Sequence, residues 1–116
     1  MKRQRVLILG ATGSVGVNTL DVLGRHPERY EVFALTAQSR IDELLHQCAR
    51  WRPRYAAVPD GPPAHALRER LAAEGIDTEV VSGPQALCDL APSLVERQVE
   101  LVARDTQGIV THGFGA

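Results

Sequence analysis

Three glycines near the start of the chain have the spacing and the neighbours that a phosphate-binding turn requires. The apolar run from Val6 to Leu9 ends at Gly10, and Gly13 and Gly16 follow before a segment with helical spacing begins. The first N–H groups of a helix have no partner within the helix and carry partial positive charge, so they can hold a phosphate that no side chain blocks. The pattern predicts a nucleotide-binding turn between a buried strand and a helix.

The chemistry of this turn depends on more than its glycines. The hydroxyls of Thr12 and Ser14 are expected to add donors to the same cradle, and Gly16 is expected to let the helix pack close to the strand. The spacing is Gly-x-x-Gly-x-x-Gly rather than Gly-x-Gly-x-x-Gly, and the alternative is a glycine-rich turn that binds nothing. No Gly-Lys-Ser/Thr follows, which argues against a Walker-type loop.

The residues after the second predicted strand indicate which cofactor the turn would hold. Sites for NAD often have an Asp or Glu there, about 20 residues after the turn, to bind the ribose 2′-hydroxyl. This chain has Gln38-Ser39-Arg40 instead, and a guanidinium can bind a 2′-phosphate through charge-assisted hydrogen bonds. We therefore predict NADP rather than NAD. Alternatively, Arg40 is simply solvated. Asp42 is an acidic residue near this position and could indicate NAD instead, but we interpret it as an acid at a helix start.

The elements that position these residues alternate between strand and helix along most of the chain. This alternation predicts an α/β fold, a Rossmann-like doubly wound parallel sheet built from βαβ units, in one domain over residues 1–116. The predicted strands are Val6–Leu9, Glu31–Thr36, Tyr55–Val58 and Thr78–Val81, and the predicted helices are Ser14–Leu23, Arg40–Trp51, Ala64–Glu74 and Pro84–Leu90.

The sequence after Ala91 specifies its structure less well. The segment from Ser93 to Ala103 fits either a helix or a strand at Val99–Val102, and Gly108–Gly115 fits a last short strand or a loose tail.

Composition excludes several classes of partner. The formal net charge is -1, so no overall field favours nucleic acid or an anionic membrane. No apolar run approaches the roughly 20 residues of a membrane helix, and we expect a cytoplasmic location. Cys48 and Cys88 are expected to be reduced core residues.

The remaining polar residues predict no complete active site. None of the four histidines has metal-ligand spacing with another His, Cys or carboxylate. The arginines at positions 50, 52 and 54 are most simply a solvated turn, and no nucleophile–base pair or paired carboxylate is apparent. The sequence therefore predicts a binding domain.

Several segments together resemble one enzyme family, the 1-deoxy-D-xylulose 5-phosphate reductoisomerases, over roughly the first ~90 residues. The most specific is Thr19-Leu-Asp-Val22 behind the glycine turn, because the turn alone is shared with other reductases. The other segments are Ile8–Gly16, His26–Glu28, Val32–Leu35, Gln47–Cys48, Arg52–Tyr55, Val80–Gly83 and Ala86–Cys88.

The resemblance implies an activity and a cofactor. The family converts 1-deoxy-D-xylulose 5-phosphate to 2-C-methyl-D-erythritol 4-phosphate in non-mevalonate isoprenoid biosynthesis, with NADPH and a divalent metal, Mg²⁺ or Mn²⁺. By resemblance, the diphosphate would lie on the turn and the 2′-phosphate at the end of the second strand, and a homodimer is possible. The cofactor-binding residues are then Gly10, Thr12, Gly13, Ser14, Val15, Gln38, Ser39 and Arg40.

The chain also departs from the family. The family often has Gly, a basic residue and Asn where this chain has Gln38-Ser39-Arg40, so the basic residue is shifted by one. Residues 92–116 do not follow the expected pattern, and the family's metal-binding and substrate-binding residues belong to later segments. We therefore expect a truncated NADP-binding domain without catalytic or metal-binding residues, inactive alone. The alternatives are a semialdehyde-dehydrogenase-type NADP domain and a non-catalytic nucleotide-binding or interaction module.

Overall fold

The computed structural model describes the backbone of residues 3–105 and 108–113, and the side chains of residues 3–99 except 14, 15 and 87. Strands and helices alternate as the sequence predicts, up to the last strand. The strands are β1 (Gln4–Ile8), β2 (Tyr30–Thr36), β3 (Tyr55–Val58), β4 (Glu79–Ser82), β5 (Glu100–Asp105) and β6 (Gly108–Gly113), and the helices are α1 (Ser14–Gly24), α2 (Ile41–Trp51), α3 (Pro62–Ala73) and α4 (Ala86–Glu96).

The six strands form one sheet in the order β4-β3-β2-β1-β5-β6. The first five are parallel, and β6 is antiparallel to β5. The Rossmann-like α/β prediction is therefore confirmed. The chain moves outward from β1 to β4 and then crosses back to place β5 on the other side of β1, which makes the sheet doubly wound.

After Ala91 the structure decides between the helix and strand alternatives that the sequence left open. A helix over Ser93–Ala103 is wrong beyond Glu96, where α4 ends, because the chain from Glu100 to Asp105 is the strand that pairs with β1. The strand alternative is correct, but β5 begins one residue later and ends three residues later than predicted. Residues 108–113 form a strand rather than a loose tail.

Helix α4 continues through a proline that we expected to lie beyond its end. The predicted helix stops at Leu90, but α4 runs to Glu96 with Pro92 inside it. A proline in a helix interior loses one backbone hydrogen bond. The buried side chains of Leu90 and Leu94, which belong to one cluster with Val99, explain why the helix continues, because burying them offsets this cost.

Two apolar clusters lie on opposite faces of the sheet. The larger one contains residues of α1, α2 and α3, among them Leu20, Leu44 and Leu67. The smaller one contains Leu90 and Leu94 of α4. Helices on both faces cover the central strands, whose middle residues, Val6–Ile8 in β1 and Val32–Leu35 in β2, are apolar and buried, as in a parallel sheet with both faces covered. In the part of the chain that the structure describes, no helix is long and apolar enough to cross a membrane.

Two expectations about core residues are corrected. Cys48 is buried, but Cys88 is exposed on α4, so only one of the two cysteines belongs to the core. The pattern of α3 predicts Ala66, Leu67 and Leu71 as its inward residues, but the buried ones are Ala64, Leu67 and Leu71, and Ala66 is exposed. The buried face of α3 therefore follows a spacing of three and four residues from Ala64.

Candidate functional site

A tight turn joins β1 to α1 at the carboxyl edge of the sheet. Gly10 has φ 72°, a left-handed conformation that glycine adopts without steric cost. The N–H of Gly13 donates to the carbonyl of Gly10 at 3.0 Å, and the N–H of Ala11 donates to the carbonyl of Thr36 at 2.7 Å. The turn is therefore closed on itself and fixed to the end of β2.

Gly16 is the point where α1 contacts this turn. A Cβ atom at position 16 would lie 2.3 Å from the carbonyl oxygen of Gly10 and 2.7 Å from the Cα of Ala11. Both are backbone atoms of the turn, so no side-chain rotation can relieve the contact. The prediction that Gly16 permits close packing of the helix is confirmed, and the first turn of α1 is held directly against the glycine turn.

The start of α1 is suited to an anion. Gly13 is its N-cap and, among the described residues, has no side-chain cap hydrogen bond; the first turn contains no acidic residue. The first N–H groups of a helix lack intrahelical partners and carry partial positive charge. No acidic side chain in the first turn of α1 competes with a bound phosphate for these groups.

Thr12 and Thr36 connect the glycine turn to the loop after β2. Thr12 is only 5% exposed, and its hydroxyl donates to the carbonyl of Ser39 at 3.1 Å. The hydroxyl of Thr36 accepts from the N–H of Gly10 at 3.0 Å. The hydroxyl hydrogen of Thr12 is thus directed to Ser39, which leaves the Thr12 backbone as its expected contribution to a phosphate site.

The structure brings the predicted ribose-binding residues next to the turn. Gln38, Ser39 and Arg40 are all exposed and follow β2 directly. Arg40 has φ 57° and forms the N-cap of α2. Beside Gln38, a cleft of about 410 Å³ runs along the carboxyl ends of β2, β3 and β4, with Asp60 and Gly83 in its wall. In open α/β sheets this edge is where ligands bind.

Asp42, the acidic residue that could have indicated NAD rather than NADP, pairs with an arginine of a neighbouring helix. It lies in the first turn of α2, and its carboxylate pairs with the guanidinium of Arg70 on α3. Its position at a helix start confirms the interpretation made from the sequence. The pair is exposed, but it matches the charge of Asp42 with a partner on the neighbouring helix.

Gln47 is a supporting residue that the sequence analysis did not single out for its side chain. It is buried in α2, and its Nε2 donates to the carbonyl of Ala11 in the turn at 2.7 Å. Its Oε1 has no hydrogen-bond partner. The sequence signal that could have revealed this role is the position of Gln47, a polar residue on the same apolar stripe of α2 as Leu44 and Cys48.

Replacing Gln47 with leucine should loosen the turn. The buried carbonyl of Ala11 would lose its side-chain donor, and an unsatisfied buried polar group costs about 1–3 kcal/mol. Removal of the unpaired Oε1 offsets part of this, so we expect the free energy of unfolding in urea to fall by about 1–2 kcal/mol. His46→Leu, at the exposed neighbouring position, is the control. Equal stability of the two variants would show that the contact does not fix the turn.

The described residues offer no obvious catalytic group. Burial raises the pKa of the Cys48 thiol from 9.0 to about 11, an effect that a hydrogen bond with Thr78 partly opposes. Cys48 is therefore a neutral core thiol rather than a nucleophile. No group of three or more His, Cys, Asp or Glu residues that could hold a metal ion is found among the described residues.

Comparison with known proteins shows what this chain is similar to. The family model described as 1-deoxy-D-xylulose 5-phosphate reductoisomerase matches residues 6–111. Curated proteins of that name are similar over 88 residues, which are 76% of this chain and 22% of each relative. Identity is 57% for the protein of Pseudomonas putida strain KT2440 and 58% for that of Pseudomonas aeruginosa strain PAO1. The chain thus spans about a fifth of the length of these relatives.

Solved structures give the same result. A DOX-P reductoisomerase in complex with NADPH, fosmidomycin and magnesium is 36% identical with a TM-score of 0.71, covering 76% of this chain and 21% of that one. The reductoisomerase of Zymomonas mobilis in complex with NADPH is also 36% identical, with a TM-score of 0.65, covering 82% of this chain and 23% of that one.

Proposed function

The chain belongs to the 1-deoxy-D-xylulose 5-phosphate reductoisomerase family, and we propose that its residues form the NADPH-binding part of such an enzyme. The reaction would be the conversion of 1-deoxy-D-xylulose 5-phosphate to 2-C-methyl-D-erythritol 4-phosphate in non-mevalonate isoprenoid biosynthesis. The observation that carries the proposal is the close packing of Gly16 against the turn, where a Cβ at position 16 would lie 2.3 Å from the carbonyl oxygen of Gly10.

The glycine turn fits the diphosphate of NADPH. Gly10 in a left-handed conformation and Gly16 without a side chain bring the start of α1 close to the end of β1. A diphosphate can then approach backbone N–H groups that face out of the helix. The residues proposed to hold it are Gly10, Thr12, Gly13, Ser14 and Val15.

The loop after β2 would bind the adenosine end of the cofactor. Arg40 would pair with the 2′-phosphate, with Gln38 and Ser39 beside it. The hydrogen bond from Thr12 to the carbonyl of Ser39 fixes the distance between this loop and the glycine turn. The cleft next to Gln38 can accept the adenine, and NADPH would supply the hydride for the reduction step.

The rest of the chemistry is assigned to other parts of a full-length enzyme. Residues for the family's Mg²⁺ or Mn²⁺ and for the phosphosugar are expected outside this chain, so the 116 residues alone should bind NADPH without turnover. A homodimer and a cytoplasmic location remain predictions. The family assignment argues against a semialdehyde-dehydrogenase-type domain.

Titration of the purified chain with NADPH and with NADH tests the proposal. We expect the fluorescence of the bound nicotinamide to report saturable binding of NADPH, with NADH weaker by roughly tenfold or more because it lacks the 2′-phosphate. If neither dinucleotide binds, the proposal is wrong and the remaining hypothesis is a non-catalytic interaction module. Turnover of the phosphosugar by the isolated chain would contradict the assignment of catalysis to other segments.

A further inference from the structure

A second cleft lies at the amino ends of the strands, on the edge of the sheet opposite the glycine turn. Its volume is about 350 Å³, within the range of small-ligand sites. Four arginines line it, and they come from separate places in the chain: Arg5 from β1, Arg52 and Arg54 from the loop before β3, and Arg97 from the end of α4. We call this the arginine cleft.

Three of the four guanidinium groups are held by neutral groups. Arg5 donates to the carbonyl of Arg97 at 3.1 Å, and Arg52 is 3.5 Å from the carbonyl of Gly75. The guanidinium of Arg54 lies over the ring of Tyr55, 5.8 Å from its centre. Carbonyls and aromatic rings restrict the position of an arginine without cancelling its charge.

Two carboxylates, Glu31 and Asp77, line the cleft beside the four arginines, so arginines outnumber carboxylates among the described lining residues. Glu31 is 3.9 Å from Arg3, which lies outside the lining. Among the described residues, none of the four arginines forms an ion pair within 4.0 Å. The chain as a whole has a net charge of -1, so this positive charge is a local feature.

We propose that the arginine cleft binds a small anion carrying two or more phosphate groups. Arginine side chains bind phosphate oxygens through paired N–H donors, and four of them from three segments of the chain line a cleft of a size suited to such a ligand. The site is separate from the NADPH site and does not depend on the proposed reaction. Arg52 and Arg54 are exposed, in agreement with the predicted solvated turn, and the proposal assigns this exposed turn a ligand.

Tripolyphosphate in a metal-free buffer is the probe, and the amide spectrum of the ¹⁵N-labelled chain is the readout. We expect saturable shifts at the amides of Phe33, Arg54 and Thr78, which border the cleft. The double variant Arg54→Gln/Arg97→Gln should weaken this binding at least tenfold. The matched control is Arg25→Gln/Arg68→Gln, which removes the same charge from exposed positions outside the cleft.

Three outcomes would overturn the proposal. The first is shifts confined to the amides of the glycine turn, which would place the anion at the cofactor site. The second is an equal loss of binding in both double variants, which would indicate nonspecific attraction. The third is no saturable shift at all. If the cleft double variant fails to fold, the binding of tripolyphosphate to the single variant Arg5→Gln can be compared with its binding to the control instead. Saturating NADPH should leave the shifts at the cleft unchanged.

Discussion

Substitution of Gly16 by alanine is expected to abolish NADPH binding and to lower the free energy of unfolding by about 3 kcal/mol. The added Cβ would meet the carbonyl oxygen of Gly10 at 2.3 Å and the Cα of Ala11 at 2.7 Å. Relief requires α1 to move away from the turn, which costs packing and also withdraws the helix start from the diphosphate. Urea unfolding and NADPH titration measure the two effects.

Gly24→Ala in the same helix is the matched control. A Cβ at position 24 would also approach an atom at 2.3 Å, but that atom is the terminal nitrogen of the Arg50 side chain. A flexible guanidinium can move aside, whereas the backbone at Gly10 cannot. We expect Gly24→Ala to bind NADPH normally and to change stability by less than about 1 kcal/mol. Similar behaviour of the two variants would refute the role assigned to Gly16.

Replacement of Arg40 by glutamine is expected to weaken NADPH binding by about 1–3 kcal/mol, roughly 5- to 150-fold, while leaving NADH binding almost unchanged. Only NADPH carries the 2′-phosphate that the guanidinium would bind. Arg40 is exposed beside Gln38 and Ser39, and the nearby carboxylate of Asp42 pairs with Arg70. Parallel titrations of both dinucleotides measure the change in selectivity.

Two further variants separate the charge of Arg40 from its backbone position. Arg40 is the left-handed N-cap of α2, so Arg40→Gly should keep or raise stability and still lose NADPH selectivity. Arg25→Gln removes one charge at an exposed position whose guanidinium pairs with Asp21, and it should preserve selectivity. Equal losses for NADPH and NADH in Arg40→Gln would assign Arg40 a structural role only.

The parts of this molecule that were predictable depend on local patterns. The apolar run of β1, the glycines behind it and the helical stripe through Leu20 and Leu23 lie within about two dozen residues, and each limits the next. The same holds for β2, whose end carries Gln38–Arg40. Local patterns were therefore sufficient to predict the fold class, and they placed the residues of the candidate cofactor site on adjacent elements.

The features that were missed depend on contacts between distant segments. The pairing of Asp42 with Arg70 and the hydrogen bond of Gln47 to Ala11 connect different helices and loops, and no spacing rule encodes them. Helix α4 passes through Pro92 because its leucines bury against the sheet, so tertiary packing outweighs a local breaking signal.

The position of β1 between β2 and β5 has a consequence for the order of folding. Gln4 pairs with Tyr30 in β2, whereas Val6 also pairs with Glu100 in β5, much further along the chain. Closing the longer loop costs about 1 kcal/mol more in chain entropy. During synthesis the β1–α1–β2 unit can associate before β5 has left the ribosome. The glycine turn would then take shape early, and the last contacts to form would be those on the β5 side of β1.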